Sequence, residues 1–169
     1  MSQENVPEGP GCAQTALARS ARVLTRPRPL VTRFTRAHAW VLRRSRGRIQ
    51  RSTVLAGGMP VLSITTTGRR SGQRHSTVVA YMRDEHRLVV TAANLGHERP
   101  PAWFLNLMAL PNAEVELEGR RLPVTARRAK GHEAAELWRR WLELLPAADA
   151  FRAIAGREIP VVVLEPTRP

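Results

Sequence analysis

Ile64-Thr65-Thr66-Thr67-Gly68-Arg69-Arg70-Ser71-Gly72 is the stretch on which the reading of this chain turns. An apolar strand runs into four hydroxyls, two glycines and two adjacent arginines. Such a turn suits an anion. Glycines let the backbone come close and turn N–H groups outward. Arginines add a planar donor fork that fits phosphate or carboxylate. The same residues also suit a solvated basic hairpin turn, and this stretch alone does not separate the two.

Working outward, Val61–Thr66 reads as a first strand, Ser76–Met82 as a second and Arg87–Ala92 as a third, with Arg83-Asp84-Glu85-His86 as the turn between the last two. Ala102–Leu110 reads as a short helix, opened by Pro101 and stopped by Pro111. Ala113, Val115 and Leu117 then alternate with Glu114, Glu116 and Glu118, as a half-buried strand does. Gly119-Arg120 reads as a two-residue hairpin turn, and Leu122, Val124 and Ala126 carry the alternation back. Glu133–Leu145 is an amphipathic helix whose apolar face holds Ala134, Leu137, Trp138, Trp141, Leu142 and Leu145. Ile159–Leu164 is apolar throughout, as a central strand is. These elements predict a mainly β protein with flanking helices (α+β), its sheet a small closed or half-closed barrel.

The preceding residues read differently. Residues 1–29 are expected to form a disordered basic tail, because their prolines and glycines do not join regular structure easily. Residues 30–59 are expected to hold a basic helix, Leu30–Arg44, and a glycine-containing linker. Leu30, Phe34, Ala37 and Val41 share one stripe of that helix, and arginines with Trp40 lie off it. Residues 60–169 form the barrel domain in this reading. The net charge of the 169 residues is +13, and 26 of the 27 basic residues are arginine. Residues 1–52 hold eleven arginines against Glu4 and Glu8, so most of the excess lies outside the barrel. Peripheral contact of residues 30–44 with an anionic membrane is the expectation, with nucleic acid the weaker candidate. The competing reading docks the helix on the barrel with its arginines in water.

Cys12 is the only cysteine, and no apolar run nears the roughly 20 residues of a spanning helix. A cytoplasmic protein, membrane-peripheral if the helix binds lipid, is expected. His38, His75, His86, His97 and His132 are scattered without ligand spacing, which speaks against a metal. There is no G-x-S-x-G elbow and no P-loop. No side chain stands out as catalytic, so the chemistry is expected to belong to a bound cofactor.

Four blocks in order carry a resemblance: Thr65–Gly72, Tyr81-Met82-Arg83-Asp84, Pro101-Ala102-Trp103-Phe104-Leu105-Asn106-Leu107 and Ile159–Pro166. Together they resemble the actinobacterial deazaflavin-dependent nitroreductase family across Pro60–Pro166. The resemblance implies a split β-barrel, FMN-binding-like and related to flavin-nucleotide oxidases. It implies coenzyme F420 as cofactor. It also implies reduction of an electron-poor small molecule: an activated alkene, a quinone or a nitro compound. By position, Arg69, Arg70 and Ser71 match the family's phosphate-binding turn. His75 stands where an arginine is common, which would make one cationic contact pH-dependent. Ser76, Thr77, Val78 and Val79 match the strand beside the deazaflavin. Thr91, Ala92, Ala93 and Asn94 match the next strand edge. Trp103, Phe104 and Asn106 match the helix that closes the groove.

One departure concerns the substrate. Family members carry tyrosines after the long helix, where this chain has Leu145, Ala148 and Phe151; Tyr81 is its only tyrosine. The cofactor groove thus reads as kept and the substrate pocket as rebuilt, with Phe34 or Trp40 lining it if the N-terminal helix acts as a lid. Two further readings stay open on sequence: a non-redox isomerase or cyclase on the same barrel, and a haem- or flavin-binding module.

Overall fold

A computed structural model describes residues 58–167. The expected tail and helix, including Phe34 and Trp40, and the linker up to residue 57 lie outside the described residues; Met59, at the linker's end, is buried in a core. The described residues hold seven strands: β1 Val61–Thr67, β2 Arg74–Ala80, β3 Met82–Asp84, β4 Arg87–Thr91, β5 Asn112–Leu117, β6 Arg120–Arg128 and β7 Val161–Pro166. Three α-helices accompany them: α1 Ala102–Ala109, α2 Gly131–Leu144 and α3 Ala148–Ala155. The strands form one sheet in the order β2-β1-β5-β6-β7-β4-β3, with every neighbouring pair antiparallel. The sheet curls until β2 approaches β4. This is the half-closed barrel that the strand pattern predicts, and the split β-barrel of the FMN-binding-like class that the resemblance implies.

Strand alternation builds two cores, one on each face. The inner core holds Leu62, Ile64, Leu88, Val90, Val115, Val124, Val162 and Leu164, capped by Trp103, Phe104 and Leu107 of α1. The outer core holds Val61, Val89, Val161 and Val163 against Leu137 and Trp141 of α2 and Ala148 of α3. β7 contributes to both faces, which is why its Val161–Leu164 stretch is apolar. α2 is also held by charge. Asp84, almost fully buried, accepts from Arg87 and from Arg140 of α2. Arg127 of β6 makes a forked pair with Glu133 of α2, at 2.6 and 2.7 Å, and a further bond to Glu165.

Three elements differ from the sequence reading. The expected strand Ser76–Met82 starts at Arg74 and breaks at Tyr81, whose ring is buried in the inner core and whose N–H bonds to Pro60 O. The turn before β4 is consequently shorter, with Glu85 in left-handed conformation (φ 53°). The β5–β6 turn is Glu118-Gly119, not Gly119-Arg120. Leu117 pairs with Arg120, and Glu118 and Gly119 both have positive φ (53° and 77°), as the tight hairpin turn of that twist requires. α3 was not expected. It follows Pro146 and ends on Gly156 at φ 60°.

Candidate functional site

The β1–β2 turn is tight. Gly68 N–H donates to Gln73 O at 2.7 Å, and Gly72 N–H to Gly68 O at 2.7 Å. Gly68 leaves room for its neighbours: an added Cβ would lie 2.7 Å from Ser71 Oγ and 3.0 Å from His75 Nε2, so those side chains would have to shift. Gly72 is required by backbone, at φ 67°. Ser71 Oγ accepts from Gln73 N–H at 3.3 Å and lies 3.5 Å from His75 Nε2.

The turn is anchored from the other side of the inner core. Asn106 of α1 is 5% exposed. Its Oδ1 accepts from the Arg69 backbone N–H at 3.2 Å and from Arg69 Nη1 at 3.4 Å. Its Nδ2 donates to Thr66 Oγ1 at 3.2 Å, and Thr66 is itself buried. One buried amide therefore ties α1, the end of β1 and the arginine turn together. Neither Arg69 nor Arg70 makes an ion pair among the described residues, whereas Arg74 nearby is paired with Glu114. Two guanidiniums without ion pairs on a glycine-shaped turn suit an anion such as a phosphate.

The other expected residues divide by face. His75, Thr77 and Val79 pair with Thr66, Ile64 and Leu62 on the inner face. Ser76 and Val78 point the opposite way, where Ser76 Oγ meets Thr65 Oγ1 at 2.8 Å and Val78 packs on the outer core. A continuous Ser76–Val79 run thus presents only alternate side chains to any inner groove. Thr91 ends β4, paired with Val161. Ala92 is fully buried and Ala93 half-buried; Asn94 is exposed, its Nδ2 donating to Arg99 O at 2.9 Å. Trp103 and Phe104 are buried, ring edge to ring face at 6.3 Å, and anchor the inner core. Ala148 is buried in the outer core and Leu145 packs against it, while Phe151 is half-buried beside Gly96.

Two participants escaped the sequence reading. Thr66 looked like one of three equivalent threonines, although strand parity alone could have singled it out as inward-facing. Arg157 gave no signal. Its guanidinium donates to Ala92 O at 3.2 Å, Ala93 O at 3.4 Å, His97 O at 3.2 Å and Glu158 O at 3.0 Å. No histidine, cysteine, aspartate or glutamate cluster fit for a metal exists among the described residues.

The profile of the F420H(2)-dependent quinone reductase family matches residues 34–166. An F420H(2)-dependent quinone reductase of Mycobacterium tuberculosis is 32% identical over 136 residues, covering 76% of this chain and 87% of that protein. The solved structure of an F420-H2 dependent reductase, FDR-A, superposes with a TM-score of 0.58 at 28% identity, covering 63% of this chain and 94% of that one. A haem-binding protein of Mycobacterium smegmatis, at 19% identity and a TM-score of 0.50 over 67% of this chain and 48% of its own, shares the fold alone. The chain belongs to the F420H(2)-dependent quinone reductase family, F420-dependent oxidoreductases on a split β-barrel.

Proposed function

We propose that this protein reduces a quinone with F420, binding the cofactor phosphate at the Gly68–Gln73 turn and the deazaflavin along the inner face of β2 toward Thr91–Asn94. The observation that carries the reading is the Arg69–Asn106–Thr66 cluster. It holds two arginine charges that lack ion pairs among the described residues on a turn where a side chain at position 68 would push on Ser71 and His75. Reduced F420, when bound, supplies a hydride to the acceptor. The chain supplies everything else. Arg69 and Arg70 neutralise the cofactor's charge, Asn106 fixes the turn, and Thr77 and Val79 shape the groove. Holding donor and acceptor in contact and excluding water is the protein's share of the rate acceleration. The proton for the reduced acceptor comes from solvent or a backbone-held water in this account.

Leu145 and Ala148 belong to the outer core, away from this groove, whereas the apolar side chain of Phe151, half-buried beside Gly96, favours a bulky, apolar quinone over a small nitro compound. Among the described residues no helix is long and apolar enough to cross a membrane. Membrane contact through residues 30–44 remains part of the proposal, as a route by which a lipophilic quinone would be met. Family membership favours this reading over the isomerase and haem-module alternatives.

The test is an F420 titration by fluorescence, then turnover with a soluble naphthoquinone. Arg69→Ala with Arg70→Ala should raise the Kd for F420 by about tenfold or more. Unchanged affinity in that double variant would remove the turn from the cofactor site.

A further inference from the structure

Past β4 the backbone enters an unusual conformation. Asn94, Leu95 and Gly96 have successive positive φ values of 50°, 53° and 78°. Glycine adopts that region freely and asparagine tolerates it, so the strain falls on Leu95. Leu95 gains little in return, since it is 44% exposed. Strain of this kind persists only where the surroundings over-determine it, and it gathers at ligand sites.

Two neighbours do the determining. Gly96 packs so closely against α3 that an added Cβ would lie 3.1 Å from Ile154 Cγ2. Arg157, just beyond α3, spreads its guanidinium over the carbonyls of Ala92 and Ala93 before the turn and of His97 after it. Burial depresses the pKa of this guanidinium, and it has no carboxylate partner among the described residues. A half-buried arginine that spends its donors on carbonyls flanking one strained turn has a specific task.

We infer that Arg157 is a positioning residue for the cofactor: its fork clamps the Asn94–Gly96 turn in the left-handed conformation that forms one wall of the F420 groove. The inference rests on the proposed assignment of Thr91–Asn94 to that groove. Arg157 acts through the backbone it holds and not by its charge.

The test compares four variants of the full chain by F420 titration, with amide hydrogen exchange over residues 93–97. Arg157→Ala should weaken F420 binding about tenfold and speed exchange in the turn. Arg157→Lys keeps the charge but not the fork, so it should bind no better than within about threefold of Arg157→Ala. Adding Leu95→Gly to Arg157→Ala should recover at least about threefold, because glycine adopts the turn without a clamp. At saturating F420, kcat should stay within about twofold of wild type in each. Wild-type affinity in Arg157→Lys would overturn the inference, since charge alone would then suffice. So would absence of recovery in the Leu95→Gly background. If Arg157→Ala does not fold, the lysine variant with and without Leu95→Gly decides on the same criteria. Wild-type affinity in Arg157→Ala, with Arg69→Ala/Arg70→Ala weakened, refutes the clamp and leaves the phosphate site standing. Wild-type affinity in all variants refutes both.

Discussion

Replacing Asn106 by alanine should damage stability and cofactor binding together. The side chain is 5% exposed and serves three groups. Its bonds to the Arg69 backbone N–H and to Thr66 Oγ1 are both 3.2 Å, and that to Arg69 Nη1 is longer, at 3.4 Å. Discounting the long one leaves two hydrogen bonds to groups with little access to water. At about 1 kcal/mol each the expected loss is about 2 kcal/mol, slightly more if the Thr66 hydroxyl stays unpaired. For a chain of this length that lowers Tm by roughly 4–8 °C. The turn would also lose its tether, so F420 affinity should fall by about tenfold or more even where the protein is fully folded. Thermal unfolding followed by circular dichroism and F420 titration at 20 °C below the transition read the two effects separately. Thr66→Val, which removes only one of the two bonds, should cost about half the stability and less of the affinity. A folded Asn106→Ala protein with wild-type F420 affinity would refute the reasoning, because the turn would then hold its shape unaided.

Three further outcomes follow from the same geometry. Gly68→Ala should leave the barrel folded but weaken F420 binding by about tenfold, since its Cβ would displace Ser71 or His75; equal affinity in the titration would show that the turn has slack. Acid should destabilise the protein through Asp84 and Glu133. Hydrogen bonds from Arg140 and then Arg87 hold Asp84 below its ordinary pKa, and Arg127 does the same for Glu133. Their contribution is therefore complete above about pH 5 and is lost as pH falls through and below about 4, so urea unfolding of Asp84→Asn/Glu133→Gln should depend less on pH there than wild type. Trp103→Ala should cost about 3–5 kcal/mol by opening the inner core, and a Tm loss of only a degree or two would mean that α1 collapses into the gap.

Much of the barrel was legible because its strands alternate. Val115 and Leu117 face the inner core, and the glutamates between them are more exposed, as their spacing says. β7 was legible because both its faces are covered. The β5–β6 turn was misplaced by one residue, since glutamate is a poor occupant of left-handed backbone and Gly119 looked like the first turn residue. α3 escaped because eight residues make only about two turns, too short a run to stand out, although its apolar residues share a face and Pro146 before it and Gly156 after it marked its ends. The arginine turn was visible, but its anchoring was not. Thr66 and Asn106 lie 40 positions apart, and only the packing of α1 across the curled sheet brings them together. The same holds for Arg157, which reaches back some 60 residues to backbone carbonyls that no sequence pattern advertises.

The most direct measurement is a crystal structure of the protein with F420 bound. The account predicts the cofactor phosphate within hydrogen-bond distance of Arg69, Arg70 or Ser71, with the deazaflavin on the inner side of β2 near Thr91–Asn94. A cofactor seated elsewhere, for instance against the outer face between α2 and α3, with the Gly68–Gln73 turn free in solvent, would contradict it.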